Sequence, residues 1–372
     1  MKYIPALDGI RALAIILVML FHFQYMVEVG WVGVQLFFVL SGFLITSILL
    51  KSKESKLGFY LKRFYWRRSL RIFPLYYAYL LVFALTYAFF SLPKGFSEIA
   101  PYLFLYGYNY FPLINGLEFD SVFTHFWSLS VEEQFYLFWP FVIYFISKQN
   151  LKYVLIVIIV LNPLFRALVW YFLAFKSVHP MEELGEIIYR LTFSQLDAFA
   201  IGALIPVFDL QSKKFQPSKV LSYGLGLFFL IGMINLYTIG LKGSVSLSSI
   251  GFPIGSTENY AHIWSYTVIN FASLFLIYYI IHTNNKSWLN RVFGSKVLIA
   301  IGKVSYGMYV YHWVIMFIYN RFIGKHIPFD FLSFMLYFMI CYMISWVSFR
   351  YFEVLFLKIK EMKFKKRESI GS

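Results

Sequence analysis

The feature that most constrains this chain is the recurrence of apolar stretches about as long as a bilayer is thick. A hydrocarbon core of about 30 Å takes roughly 20 mostly apolar residues in a helix rising about 1.5 Å per residue. About ten such stretches follow one another, at 10–26, 34–50, 72–90, 127–146, 153–175, 191–208, 220–241, 263–282, 304–323 and 331–355. Segment 99–114 is apolar and aromatic but is interrupted by Pro101, Gly107 and Pro112. It reads as a re-entrant or interfacial piece, with a turn at Asn115-Gly116. The first stretch is not expected to be a cleaved leader, since no small-x-small site follows Phe21-His22-Phe23 and a second span starts within ten residues. No long linker, internal repeat or second soluble domain is visible. The expected architecture is all-α: a polytopic membrane bundle of about ten helices over residues 1–357, then a basic cytoplasmic tail over 358–372.

Composition excludes the competing classes. The chain is 60% hydrophobic and 14% charged, where soluble domains have about 45–50% and about 25%. So apolar a chain is not disordered, and Cys341 has no partner for a disulfide scaffold. The net charge of +15 would suit nucleic acid only on a soluble basic surface, which this chain lacks, so no nucleic-acid partner is expected. Topology explains the charge better. With the N-terminus in the cytoplasm, 26 of the 33 Lys and Arg residues fall on the cytoplasmic side, as positive-inside loops require. Both termini are therefore expected to be cytoplasmic. The loop holding Arg321 and Lys325 goes mildly against the rule.

Ionisable residues inside spans are costly and mark candidate sites. The first span carries Asp8, Arg11 and His22. Arg11 and His22 are eleven residues apart, about three turns, and so share a face roughly 16 Å long. Asp8 and Arg11 would also serve as an interfacial ion pair. His22 lies toward the outer half, and imidazole is the side chain suited to proton transfer near neutral pH. In KRFYWRRSLRIFPLYY, Arg63, Arg67 and Arg71 repeat every four residues with Arg68 beside them, forming a cationic stripe that ends where Pro74 opens or kinks the next span. Guanidinium suits phosphate, and lipid headgroups would satisfy it as well as a ligand would.

In HFWSLSVEEQFYLFWP, His125, Trp127 and Ser128 stand at the outer boundary, while Glu132, Glu133 and Tyr136 enter the span. Adjacent carboxylates point about 100° apart, so one faces the interior, and Glu132 is the expected one. In SYGMYVYHWV, Ser305, Tyr309 and His312 lie on one helix face, with Tyr306 and Tyr311 assigned to packing. Arg190 and Asp197, seven apart, are candidates to pair across or within the sixth span. His179, His262, His282 and His326 lack metal-ligand spacing, and no Gly-x-Ser-x-Gly elbow or His-Glu-x-x-His is present, so no metal is expected.

Taken in order, LDGIRALAIILVMLFHF, GVQLFFVLSGFLIT, RRSLRIFPLYY, HFWSLSVEEQFYLFWP, DAFAIGAL and SYGMYVYHWV closely resemble the acyltransferase 3 family of integral membrane acyltransferases, from Ile4 to about Phe352. The resemblance implies about ten spans in a bacterial inner or plasma membrane. It also implies transfer of an acyl group, most often acetyl from acetyl-CoA, to hydroxyls of extracytoplasmic glycans such as O-antigen, exopolysaccharide or peptidoglycan. Some members act on antibiotics or other small molecules. By that resemblance His22 matches the essential first-span histidine and Arg11 the arginine ahead of it. Arg68 and Arg71 match the R-x-x-R arginines, and Glu132 matches the glutamate of the W-S-L-S-V-E-E pattern. Some relatives add a C-terminal esterase-like domain, so a stand-alone enzyme or the membrane half of a two-protein system is implied.

The resulting expectation has Arg11, Arg68 and Arg71 holding the phosphates of acyl-CoA, a co-substrate rather than a bound cofactor. His22 would act as general base or transient acyl carrier, oriented by Glu132, with Asp8, Ser128, Ser305, Tyr309 and His312 in supporting or substrate-binding positions. A transporter or polysaccharide flippase would also have ten spans and buried polar residues, but it predicts inverted-repeat symmetry that the halves do not display.

Overall fold

The computed structural model describes residues 3–23, 26–90, 95–117, 122–177, 179–210, 212, 215–241, 246–283, 287–327 and 330–360. Most of these residues are helical, with no strand among them. All ten expected stretches coincide with helices: α1 (Pro5–His22), α2 (Val32–Ser52), α3 (Leu57–Phe90), α6 (Phe126–Phe145), α7 (Lys148–Lys176), α9 (Leu196–Val207), α10 (Pro217–Gly240), α11 (Ala261–His282), α13 (Lys296–Phe322) and α14 (Asp330–Ser348). Between them lie the shorter α4 (Phe96–Phe104), α5 (Phe111–Asn115), α8 (Met181–Arg190) and α12 (Trp288–Phe293).

Seven of the described helical segments are long and apolar enough to cross a membrane by length and composition. The other three expected spans fall short for definable reasons. Helices α6 and α13 have the length, with 20 and 27 residues, but the Ser, Glu, Tyr and His residues singled out above dilute their apolar character. Helix α9 has 12 residues, which is about 18 Å at 1.5 Å per residue and less than a hydrocarbon core. The expected sixth span is broken before it, where Leu191 is extended and Phe193–Gln195 forms a 3₁₀ turn.

Three further differences concern local structure. Pro74 lies inside α3, which runs unbroken for 34 residues and carries the arginine stripe and the apolar stretch on one rod. Segment 99–114 is α4, a 3₁₀ turn at Tyr108–Tyr110 and α5, and Gly116 closes it at φ 76°, where only glycine is unstrained. After α14, a π-helical turn at Phe349–Glu353 is followed by helix through residue 360. The expected tail from 361 onward lies outside the described residues.

The bundle has an inside and a lipid-facing outside. The apolar window of the α2 segment is 72% buried and that of α7 is 17% buried. Leu164 and Leu168 on α7, Leu230 and Met233 on α10, and Met339 and Met343 on α14 point outward, an apolar belt that lipid tails satisfy. Close approach at glycine holds the centre together. A Cβ at Gly302 of α13 would stand 1.9 Å from the Asp8 carbonyl oxygen of α1, and one at Gly42 of α2 would stand 2.1 Å from the Phe199 carbonyl oxygen of α9. Small residues at these crossings let backbones touch.

One buried ion pair ties the short helix in place. Arg166 of α7 and Asp197 of α9 are fully buried and meet at 2.6 Å. The guanidinium also donates to the carbonyls of Ser194 and Ile263, while Thr267 donates to the second carboxylate oxygen at 2.5 Å. This corrects the expected Arg190–Asp197 pair. The break at Leu191–Gln195 puts those residues on separate helices, and Arg190 pairs instead with Glu186, one turn back on α8.

Contacts between loops define two ends. At one, Lys148 meets Asp209 at 2.6 Å and His282 donates to the Leu210 carbonyl at 2.7 Å. At the other, Trp31 donates to the Phe252 carbonyl at 3.0 Å and the Leu117 amide to Glu183 at 3.1 Å.

Candidate active site

The expected site residues converge on the bundle axis but divide between two cavities. The first, about 110 Å³, is lined by Arg11, Arg68, Arg71, Ser128, Glu132, Ser305 and Tyr309 together with Ser41, Tyr306 and apolar side chains of α2. Asp8 does not line it; it anchors Arg11 from one turn below and accepts a hydrogen bond from Tyr3 at 2.6 Å. The cavity opens into a wider approach of about 650 Å³ lined by Arg11, Lys51, Arg63, Arg67, Arg68, Arg71 and Lys360, with no carboxylate among those lining residues. Helix α3 creates this field. Its arginines recur at helical spacing, so one rod lines the approach and the inner chamber alike.

Within the inner chamber, Glu132 is committed to its surroundings. Its Oε1 accepts from Ser41 at 2.5 Å and from Tyr136, and lies 3.3 Å from Arg68, whose guanidinium sits 3.8 Å over the Tyr136 ring. Arg68 is thereby held by charge, hydrogen bonding and a cation–π contact together. Arg71 feels the Asp8 and Glu353 carboxylates through space rather than in a close ion pair, and it is exposed into both chambers. Tyr306, assigned to packing, lines the chamber and donates to the Ile72 carbonyl at 2.8 Å.

The second cavity, about 250 Å³, lies toward the opposite end and is lined by His22, His125, Trp31, Trp127, Tyr189, Trp313, Glu186 and Arg190, among others. His22, the last residue of α1, brings Nδ1 to within 2.9 Å of Nε2 of the fully buried His312. The rings are nearly parallel, at 12°, with centroids 5.1 Å apart. His312 Nδ1 is 2.7 Å from the Tyr309 carbonyl. His125 packs at 4.7 Å from His312, with its Nε2 3.3 Å from the Val310 carbonyl. The expected orientation of His22 by Glu132 is therefore not what is found. The carboxylate is turned to Arg68 in the other cavity, and an imidazole takes the place beside His22.

Tyr309 and Val34 line both cavities and form the partition between them. The Tyr309 hydroxyl donates to the His125 carbonyl at 2.8 Å and is hydrogen-bonded to Ser128. Ser305, one turn below on the same face, lines only the inner chamber, and His312, beyond Tyr309, reaches the outer group. The single helix face read from the sequence thus runs from one chamber to the other.

Ser41, Tyr136, His125 and Trp313 complete the constellation without having been assigned to it. Tyr136 had a signal in its spacing four residues after Glu132, and Ser41 in being a polar residue within an apolar helix. Among the described residues, no cluster of three His, Cys, Asp or Glu is placed to hold a metal ion.

The family model for an acyltransferase domain, Acyl_transf_3, covers residues 4–350. The chain belongs to the acyltransferase 3 family. Among curated relatives, the O-acetyltransferase OatA of Staphylococcus aureus strain NCTC 8325 / PS 47 is 27% identical over 345 residues, covering 88% of this chain and 53% of that protein. OatA of strain COL matches with the same identity and coverage. The chain thus spans about half the length of the curated relatives it matches. No solved structure matches it.

Proposed function

We propose that this acyltransferase 3 family member is a membrane-embedded O-acetyltransferase. It takes an acetyl group from acetyl-CoA on the cytoplasmic side and passes it to a hydroxyl of an extracytoplasmic glycan such as O-antigen, exopolysaccharide or peptidoglycan. The observation that carries this reading is the pair of cavities, one cationic and one histidine-lined, meeting at Tyr309. The names of the relatives favour acetyl and oxygen as donor and acceptor. In this reading the bundle crosses the bacterial inner or plasma membrane ten times with both termini cytoplasmic, so the basic approach faces the compartment that contains coenzyme A. In this reading a separate extracytoplasmic esterase-like protein can complete the transfer to the acceptor.

Acyl-CoA is a polyanion and does not cross a bilayer. Arg71, exposed into both chambers, and Arg11 and Arg68, already oriented, receive its phosphates, which guanidinium binds better than ammonium does. The thioester then lies toward Tyr309. From the outer cavity the acceptor hydroxyl reaches His22. As its oxygen attacks the thioester carbonyl, the new O–C bond forms and the C–S bond breaks. The hydroxyl proton passes to His22 and then to the departing thiolate, leaving the imidazole neutral for the next cycle. Glu132 fixes Arg68 and keeps the inner chamber from being purely cationic. Membership of an acyltransferase family favours this chemistry over transport.

The test is purified protein in proteoliposomes with radiolabelled acetyl-CoA and envelope glycan. Glycan-dependent release of CoA is expected, and it should be absent in His22→Ala, which should still insert. Undiminished release by that variant would overturn the reading.

A further inference from the structure

The outer cavity contains a constraint on proton positions that the proposed chemistry does not by itself require. A carbonyl oxygen has no proton to give, so the 2.7 Å contact between His312 Nδ1 and the Tyr309 carbonyl is a hydrogen bond only if Nδ1 carries the proton. His312 is fully buried and no carboxylate is hydrogen-bonded to it among the described residues, so a second proton would create an uncompensated charge inside the bundle. Its Nε2 is then a lone pair. The 2.9 Å contact at that atom needs a donor, and His22 Nδ1 must supply it.

The ring geometry agrees. With 12° between the planes and 5.1 Å between centroids, a 2.9 Å nitrogen contact lies along the line joining the rings. The imidazoles therefore meet edge to edge in nearly one plane, as a directional N–H···N bond requires. His125 does not compete for the lone pair, because its Nε2 faces the Val310 carbonyl.

We propose that His312 is a positioning residue: by accepting from His22 Nδ1 it fixes the first-span histidine in the tautomer whose free lone pair is on Nε2, the ring nitrogen with no hydrogen-bond partner among the described residues. The relay runs from the Tyr309 carbonyl through His312 to His22, with an imidazole in the place a carboxylate usually occupies beside a catalytic histidine. It turns the choice of ring nitrogen into a consequence of α1 and α13 packing, since the Asp8–Gly302 contact sets how closely those helices pass. The proposal builds on His22 being the base, but its test does not depend on activity.

Nitrogen-15 NMR of histidine-labelled full-length protein in nanodiscs, with the His22 signals assigned by their loss in His22→Gln, reads the tautomer directly. Wild type should have a protonated Nδ1 and a bare Nε2 on His22. In His312→Phe the His22 signals should move toward the Nε2-protonated form. In His312→Gln, whose side-chain carbonyl can accept the same proton, they should return. Turnover should fall by about a hundredfold in His312→Phe with acetyl-CoA KM little changed, and recover about tenfold in His312→Gln, in the range of outer-sphere and acid–base effects. A wild-type His22 protonated on Nε2, or a His312→Phe spectrum with the His22 tautomer unmoved, would overturn the proposal. An inactive wild type with the expected tautomer would instead count against the acetyltransfer reading alone.

Discussion

The inner and outer cavities solve opposite electrostatic problems with the same helices. The inner one accumulates positive charge: Arg11, Arg68 and Arg71 line it, with Glu132 as the nearby carboxylate. The outer one has His22 and His125 among aromatic walls, and its one guanidinium, Arg190, is paired with Glu186. A multiply charged ligand needs unneutralised cations to meet it. A hydroxyl nucleophile needs a neutral base and little else. The difference shows that α13, which reaches both sides, separates two kinds of chemistry through Tyr309, with Val34 of α2 completing the partition.

Substitutions on the two sides should therefore fail differently. The largest effect is expected at His22→Ala, a loss of at least about a thousandfold in turnover with acetyl-CoA KM unchanged, because only the outer chemistry is removed. Steady-state transfer in detergent or liposomes checks it, and a rise in donor KM of similar size would merge the two cavities functionally. Next, the Arg68→Ala/Arg71→Ala pair should raise acetyl-CoA KM at least about tenfold while leaving transfer at saturating donor within about threefold. Its dependence on salt should also be shallower than wild type, since fewer charges are left to screen. Arg190→Met should raise acceptor KM by about threefold and leave donor KM alone, a modest change because a carboxylate already neutralises that arginine. If Arg190→Met instead shifted donor KM, coenzyme A would have to reach past Tyr309.

Much of this arrangement was legible in residue spacing. The eleven residues from Arg11 to His22 read as one face, and that face does link the two chambers. The i, i+4, i+7 set of Ser305, Tyr309 and His312 likewise traces the path between them. What spacing did not reveal was partner choice across helices. Nothing local says that Glu132 turns to Ser41 and Arg68 rather than to His22, since that depends on how α2, α3 and α6 rotate against one another. The misassigned Arg190–Asp197 pair has a different origin. Seven residues imply a shared face only on a continuous helix, and the chain breaks at Leu191. The short α9 was hidden for a related reason: a 191–208 apolar run has the composition of a span whether or not its first turn is helical.

That short helix bears on how the chain is made. During synthesis, Arg166 enters the bilayer well before the residue that neutralises it, because Asp197 lies 31 positions further on. Helix α9 is also too short to hold itself across the membrane and depends on α2, α7 and α11 for a seat. Insertion cannot then be a tally of independent hydrophobic segments released one at a time. The charge on α7 stays without its Asp197 partner until α9 has been made. A cell inspecting a copy made only as far as α8 would find an arginine inside the membrane without its Asp197 partner.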